Sequence, residues 1–173
     1  RCLLELSRGG GDAVVVREFD AVTKRFVEGG FETEEAKQEV VWVDSDTVLI
    51  GTDFGDGTMT DSGYANQTKV WKRNDPLALA TLVHEGNTKD VGSFPFASHR
   101  PDGTYVGVVQ APDFFTEVVY ILDGEEAAWD QKEMRKLDLP EAISFKGFYG
   151  DTVIVQVRKD WVLGTKTVKA GTL

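Results

Sequence analysis

Apolar and polar positions alternate along this chain with a period of two, in short runs rich in Val, Ile, Thr, Phe and Tyr that Gly, Asp, Asn and Pro interrupt. No segment shows the three-to-four-residue apolar spacing of an amphipathic helix several turns long. The pattern predicts strands over Cys2–Ser7, Ala13–Phe19, Arg25–Val27, Val40–Val43, Thr47–Thr52, Thr68–Arg73, Ala80–His84, Phe94–His99, Thr104–Gln110, Phe115–Ile121, Glu133–Leu137, Ile143–Phe148 and Thr152–Arg158. The expected fold class is all-β.

Three of these runs share one design: an apolar strand, a tight polar turn, then Thr opening a second apolar strand. Val40–Val43 leads through Asp44, Ser45 and Asp46 to Thr47–Ile50. Phe94–Ala97 leads through Pro101, Asp102 and Gly103 to Thr104–Gly107. Ile143–Phe145 leads through Tyr149, Gly150 and Asp151 to Thr152–Val155. Asp and Gly tolerate the turn conformation, and Thr with β-branched neighbours suits the strand that follows. The copies recur at about fifty residues, room for four strands and their loops, which is the period of a β-propeller blade.

On this period the chain divides into a partial blade over 1–30, complete blades over 38–85 and 92–139, and a partial blade over 142–173. About two complete four-stranded blades and two incomplete ones then form a fragment of a larger propeller, lacking a first and a last strand. A β-sandwich with coincidental spacing is the alternative fold. Unpaired strand edges would leave the fragment open to edge-to-edge self-association.

Composition narrows the function. With 173 residues, 41% of them apolar, the chain can bury one substantial core. Its 29 acidic against 19 basic residues give a net charge of −10, which argues against nucleic acid as a partner. A single Cys2 cannot form an internal disulfide and leaves the compartment open. No apolar run approaches the ~20 residues that span a bilayer, so no membrane partner is expected. The first residues, Arg1–Ser7, do not read as a signal peptide.

The patterns that could carry catalysis each have a plainer role. A nucleophile elbow, Gly-x-Ser-x-Gly, does not occur. Ser62 with His84 and His99 would make a triad only on paper, and strand-end or turn positions with ordinary hydrogen bonds suit both histidines better. The segment Asp53–Asp61 holds three carboxylates and two glycines, yet its spacing misses the calcium-loop pattern, so a solvated polar loop is expected and no metal. Gly9–Gly11 reads as a hairpin turn, since no phosphate-binding motif surrounds it. Trp42 and Trp71 are expected in the core, with Trp129 and Trp161 as further packing aromatics. Glu125 and Glu126 read as a surface charge pair.

The string Leu6 to Asp20, followed in order by Gly51–Gly55, Thr60–Tyr64 and Asp160–Trp161, resembles the propeller of bacterial prolyl oligopeptidase family serine peptidases. One departure stands out: Ala65 and Asn66 follow Ser62-Gly63-Tyr64, where the family often has Pro. The resemblance implies a seven-bladed propeller joined to a separate α/β-hydrolase domain that carries Ser, Asp and His, acts on short peptides, often after proline, and needs no cofactor. The propeller would restrict access of large proteins, and this chain would carry no catalytic residue.

In a blade the strands alternate in direction, so loops between second and third strands share one end with the connections between blades. Those segments are Arg8–Asp12, Asp53–Asn66, Ala111–Phe114 and Arg158–Asp160, joined by Phe31–Glu39 and Glu85–Ser93. Asp53, Phe54, Thr60, Asp61, Ser62, Tyr64, Phe114 and Arg158 are the candidates to face substrate or the catalytic domain. Competing functions are a free-standing propeller that binds protein or ligand, and a propeller glycosidase with paired carboxylates.

Overall fold

A computed structural model of the chain describes residues 1–101, 103–122, 129 and 134–173. It is all-β, built of antiparallel sheets whose strands follow one another in sequence order. The first sheet comprises β1 (Cys2–Ser7), β2 (Val14–Asp20) and β3 (Arg25–Phe26). A second runs β4 (Glu39–Asp44), β5 (Thr47–Gly51), β6 (Gln67–Lys72) and β7 (Thr81–Glu85). The third runs β8 (Gly92–Arg100), β9 (Gly103–Asp113), β10 (Thr116–Leu122) and β11 (Met134–Lys136). Two hairpins follow: β12 (Ile143–Tyr149) with β13 (Thr152–Val157), and β14 (Trp161–Leu163) with β15 (Lys166–Val168).

The sequential four-stranded order is that of propeller blades. Every turn of the shared motif closes a hairpin between neighbouring strands: β4 with β5, β8 with β9, and β12 with β13.

Sheets pack face to face, and alternation along a strand sends side chains into the two flanking seams. β5 shows this directly. Val48 and Ile50 enter the seam with the first sheet, beside Val16, Phe31 and Trp71, while Leu49 enters the seam with the third, beside Val70, Val106 and Leu122. All three are completely buried, so Val48–Ile50 is apolar on both faces of the strand. Each such side chain stabilises the fold by about 1.5–3 kcal/mol. A third seam joins Val119, Ile143 and Val157, with Phe96 and Phe145 against them. Trp71 is buried as expected, and its indole N–H donates to the Asp75 carbonyl at 2.8 Å. Trp42 packs half-buried against the same cluster.

The first seam is also closed by charge. Arg73, at the end of β6, donates to both carboxylate oxygens of Glu18 on β2 at 2.7 and 3.1 Å, to Asp46 at 2.7 Å and to the Ser45 carbonyl at 2.8 Å. The Glu18 side chain is fully buried and also accepts the Phe31 N–H at 3.1 Å. Arg73 lies over the Phe31 ring as well.

Two differences from the sequence pattern concern the strands. Residues 161–168, where the sequence pattern predicts no strand, form the β14–β15 hairpin about the turn at Gly164, whose φ is +60°. Beyond it the chain returns to β13, where the Val157 N–H donates to Thr172 and the Gly171 N–H to Val157. Residues 31–36, expected as a free connection, pair with β2: Glu18 N–H donates to Phe31, Thr33 N–H to Val16, and Val14 and Ala36 exchange two bonds. Phe31 and Thr33 are buried there, because they complete the outer edge that the short β3 leaves uncovered. The Glu125–Glu126 pair, Asp102 and the start of the expected Glu133–Leu137 strand lie outside the described residues.

Candidate functional site

The β5–β6 connection, residues 52–66, is the longest described link within a sheet, and it folds back on itself. Thr60 N–H donates to the Tyr64 carbonyl at 2.7 Å, Asn66 N–H to Thr58 at 3.0 Å, and Met59 bridges Ala65. Thr58 Oγ1 accepts the Phe54 N–H at 2.9 Å and donates to the Gly55 carbonyl at 2.7 Å, closing a separate turn over Phe54–Thr58. Glycines at positions 55, 57 and 63 have φ of +111°, +81° and +78°, the left-handed region that a Cβ resists, so this Gly-rich stretch can turn where other residues would strain.

The candidates on this loop divide by environment. Asp53 is exposed and caps the Gly55 N–H at 2.8 Å. Phe54 is half-buried, with the Lys69 ammonium 4.0 Å above its ring. Thr60 is buried and donates to the Val91 carbonyl of the next connection at 3.0 Å. Asp61 accepts from Lys89 at 2.6 Å, which raises the lysine's pKa, and its own N–H donates to the Thr88 carbonyl. Ser62 is exposed at the turn. Tyr64 meets Phe94 edge-on at 5.8 Å, and Lys37 sits 4.7 Å from its ring. The carboxylates of Asp53 and Asp61 thus serve separate hydrogen bonds. Among the described residues no group of three or more His, Cys, Asp or Glu is placed to hold a metal ion.

Phe114 belongs to a different hairpin. It stands 76% exposed at the β9–β10 turn, next to Phe115 at 71%. Asp113 fixes this tip by accepting the Phe115 N–H at 2.7 Å, a bond that lowers the Asp113 pKa. Arg158 braces it from the following hairpin, donating to the Phe114 carbonyl and to Glu117, each at 3.2 Å, while Glu117 accepts the Phe145 N–H. Arg158 is therefore tied into the scaffold, and the aromatic pair is what reaches solvent.

Several side chains of this surface lie on segments expected at this end, though no sequence signal singles them out. Lys37, on the connection that pairs with β2, bridges to Asp12 of the β1–β2 turn at 3.5 Å. With Glu39, Tyr64, Ser93 and Phe94 they line a cleft of about 100 Å³ where three sheets meet. Burial pushes the Glu39 carboxyl above its ordinary pKa, and the charge of Glu5 adds to the effect. A residue of each type is unremarkable alone; only the strand order makes them neighbours. A larger cleft of about 570 Å³, near Trp42, Asp44 and His99, lies at the opposite sheet end, by the β4–β5 turn.

The histidines have unlike surroundings. His99 is exposed on β8 and shares a hydrogen bond with the Trp42 carbonyl at 2.9 Å, as a strand-end histidine should. His84 departs from expectation: it is buried between sheets, with its ring 4.6 Å from Tyr120. The strand alternation that hides it gives no sign in a polar residue taken singly. Neither ring's hydrogen bonds or aromatic contacts involve Ser62.

The family model for the prolyl oligopeptidase N-terminal β-propeller domain matches residues 1–164. The chain belongs to this family. Among curated relatives, an uncharacterised peptidase of Sinorhizobium fredii is 38% identical over 172 residues, which cover 96% of the propeller chain and 23% of that protein. An uncharacterised peptidase of Rickettsia prowazekii is 26% identical, covering all of the chain and 25% of the relative. Among solved structures, a post-proline cleaving enzyme from Rickettsia typhi superposes with a TM-score of 0.88 at 25% identity, over 98% of this chain and 26% of that one. The propeller chain spans about a quarter of the length of the relatives it matches.

Proposed function

We propose that this propeller limits which peptides reach a separate α/β-hydrolase catalytic domain, and that residues 52–66 contact that domain or the entering peptide. The observation that carries this reading is the fixing of an exposed loop by the neighbouring connections. Thr60, Asp61 and Tyr64 are held by Val91, Thr88, Lys89 and Lys37, so the tip at Ser62 is presented in one shape. A loop ordered in advance loses less entropy on binding, and rigid scaffolds with long loops are where recognition concentrates. Phe114 adds an apolar contact on a braced hairpin, suited to a proline ring or to an apolar patch of the catalytic domain.

Short proline-containing peptides are the substrate class to test, following the activity named for the Rickettsia typhi relative. On this reading bond cleavage belongs to residues elsewhere in the full-length protein, and this chain contributes shape and an entrance. Removing residues 55–63 from the full-length protein should shift KM for such peptides severalfold, or let longer peptides be cleaved. An unchanged KM and an unchanged size profile would overturn the proposal.

A further inference from the structure

The seam between the second and third sheets is divided into an apolar and a polar half. On β6, positions 68 and 70 point the same way by strand alternation, and Asn66 immediately precedes the strand. Val70 packs into the apolar cluster with Leu49, Val106 and Leu122. Thr68, further toward the loop end, carries the same face into polar surroundings, and Asn66 lies beyond it. His84 lies directly opposite Thr68 on β7, and its ring meets Tyr120 of the third sheet. From the other wall, Ser93 at the start of β8 donates its N–H to Ala65 and pairs with Gln110 on β9, which in turn bonds Asp90.

Four side-chain atoms here have no protein partner: Asn66 Oδ1, Thr68 Oγ1, His84 Nε2 and Ser93 Oγ. Their residues are 2%, 0%, 7% and 3% exposed. A buried polar atom left unbonded costs about 1–3 kcal/mol, so four on one seam would cost a large share of a domain's usual stability. Nearby polar groups are already engaged: Asp90 Oδ2 accepts from the Asn87 N–H and from Gln110, and the Asn66 carbonyl accepts the Gly86 N–H. We propose that the polar half of this seam is a built site for ordered water, which bridges Thr68, His84 and Ser93 and extends to Asn66.

The chemistry of the wall selects that occupant. Thr68 and Ser93 each donate and accept, the Asn66 oxygen accepts, and the imidazole nitrogen does either by choice of tautomer, which matches a water with two to four partners. Cross-strand neighbours such as Thr68 and His84 have Cβ atoms about 5 Å apart, a spacing a single water can bridge. An anion would meet the Asp90 carboxylate. A divalent metal would find one imidazole and one carboxylate, whose Oδ2 already accepts two hydrogen bonds. The site also underlies the two loops it joins, since residues 52–66 end at Asn66 and the β7–β8 connection starts at Gly86. Gly86 leaves room for this packing: a Cβ there would lie 2.7 Å from Ser93 Oγ and 3.2 Å from Asp90 Oδ2.

A high-resolution X-ray or neutron structure of the full-length protein tests this. The expected result is a solvent oxygen within hydrogen-bond distance of at least two of the four atoms, with a slowly exchanging water signal in magnetic relaxation dispersion that Ser93→Ala diminishes while circular dichroism stays unchanged. A direct Thr68–His84 bond with no solvent density would overturn the proposal, as would a peak with the short distances and higher coordination of a sodium or calcium ion. The wild-type density decides the question even if the variant does not fold.

Discussion

At the scale of single residues, two of the buried titratable groups, Glu18 and His84, act in opposite senses. Glu18 is opposed by its own burial, yet the Arg73 hydrogen bonds, the Phe31 N–H and the charges of Arg73 and Arg1 outweigh this and hold its pKa below 4.5. A depressed carboxylate adds stability that is present at neutral pH and lost as pH falls below 4.5 through the folded value. Replacing its partner is worse than acid. Arg73→Met leaves a buried carboxylate with only the half-exposed Arg1, at 3.3 Å, as its ion-pair partner, and should cost about 3 kcal/mol in urea unfolding at pH 7. His84 behaves differently: burial pushes it down from 6.5 to about 4, with Asp90 and Glu85 only partly offsetting the shift. Between those two values the unfolded chain takes up a proton that the folded chain refuses. Stability should therefore fall by about 3 kcal/mol as pH drops from 6.5 to 4, and this group adds no further slope below. His84→Gln should flatten the decline in a pH series of denaturation curves; an unaltered slope would contradict the assignment.

At the scale of strands and hairpins, much of the fold was legible because local chemistry and global packing agree. The Asp-containing turns before Thr47 and Thr152 locate hairpins whose observed registers pair Asp44 with Thr47 and Tyr149 with Thr152. The β14–β15 hairpin escaped notice since its strands are three residues long and half exposed; the Gly164-Thr165 pair between Val162 and Thr167 was its available signal. The site was less legible. Loop length marks Asp61 and Tyr64, and the connections that carry Lys37, Glu39 and Lys89 are expected at the same end, but which of their side chains meet the loop is set by tertiary packing that no local pattern encodes. Gly107 is a parallel case. In β9 it faces the Phe96 ring and the Tyr120 carbonyl so closely that a Cβ has no room. Gly107→Ala should lower stability by about 1–3 kcal/mol in thermal unfolding, through displacement of Phe96 from its contact with Phe145.

At the scale of the whole molecule, stability and recognition are assigned to different places: seams hold the sheets together, and the loop ends carry the candidate contacts. That separation is testable at Phe114, whose side chain is exposed and outside every seam cluster. Phe114→Ser should leave unfolding within about 0.5 kcal/mol of wild type, as surface changes do, while raising KM for proline-containing peptides in the full-length protein. A loss of stability comparable to that of Gly107→Ala would place Phe114 in the scaffold instead.

The sequential strand order has a kinetic consequence. Within each sheet every strand pairs with its neighbour in the chain, and only the contacts across seams, such as Glu18 with Arg73, join residues some 55 positions apart. Closing short loops is fast, whereas distant contacts must wait for more chain to be ordered. Hairpins can therefore form as the ribosome releases them, with each new sheet zipping onto the face of the one made before it. Growth by accretion of this kind makes the Arg73 bond the late step in closing the first seam: until Arg73 has emerged, Glu18 has only Arg1, at 3.3 Å, and the Phe31 N–H as partners.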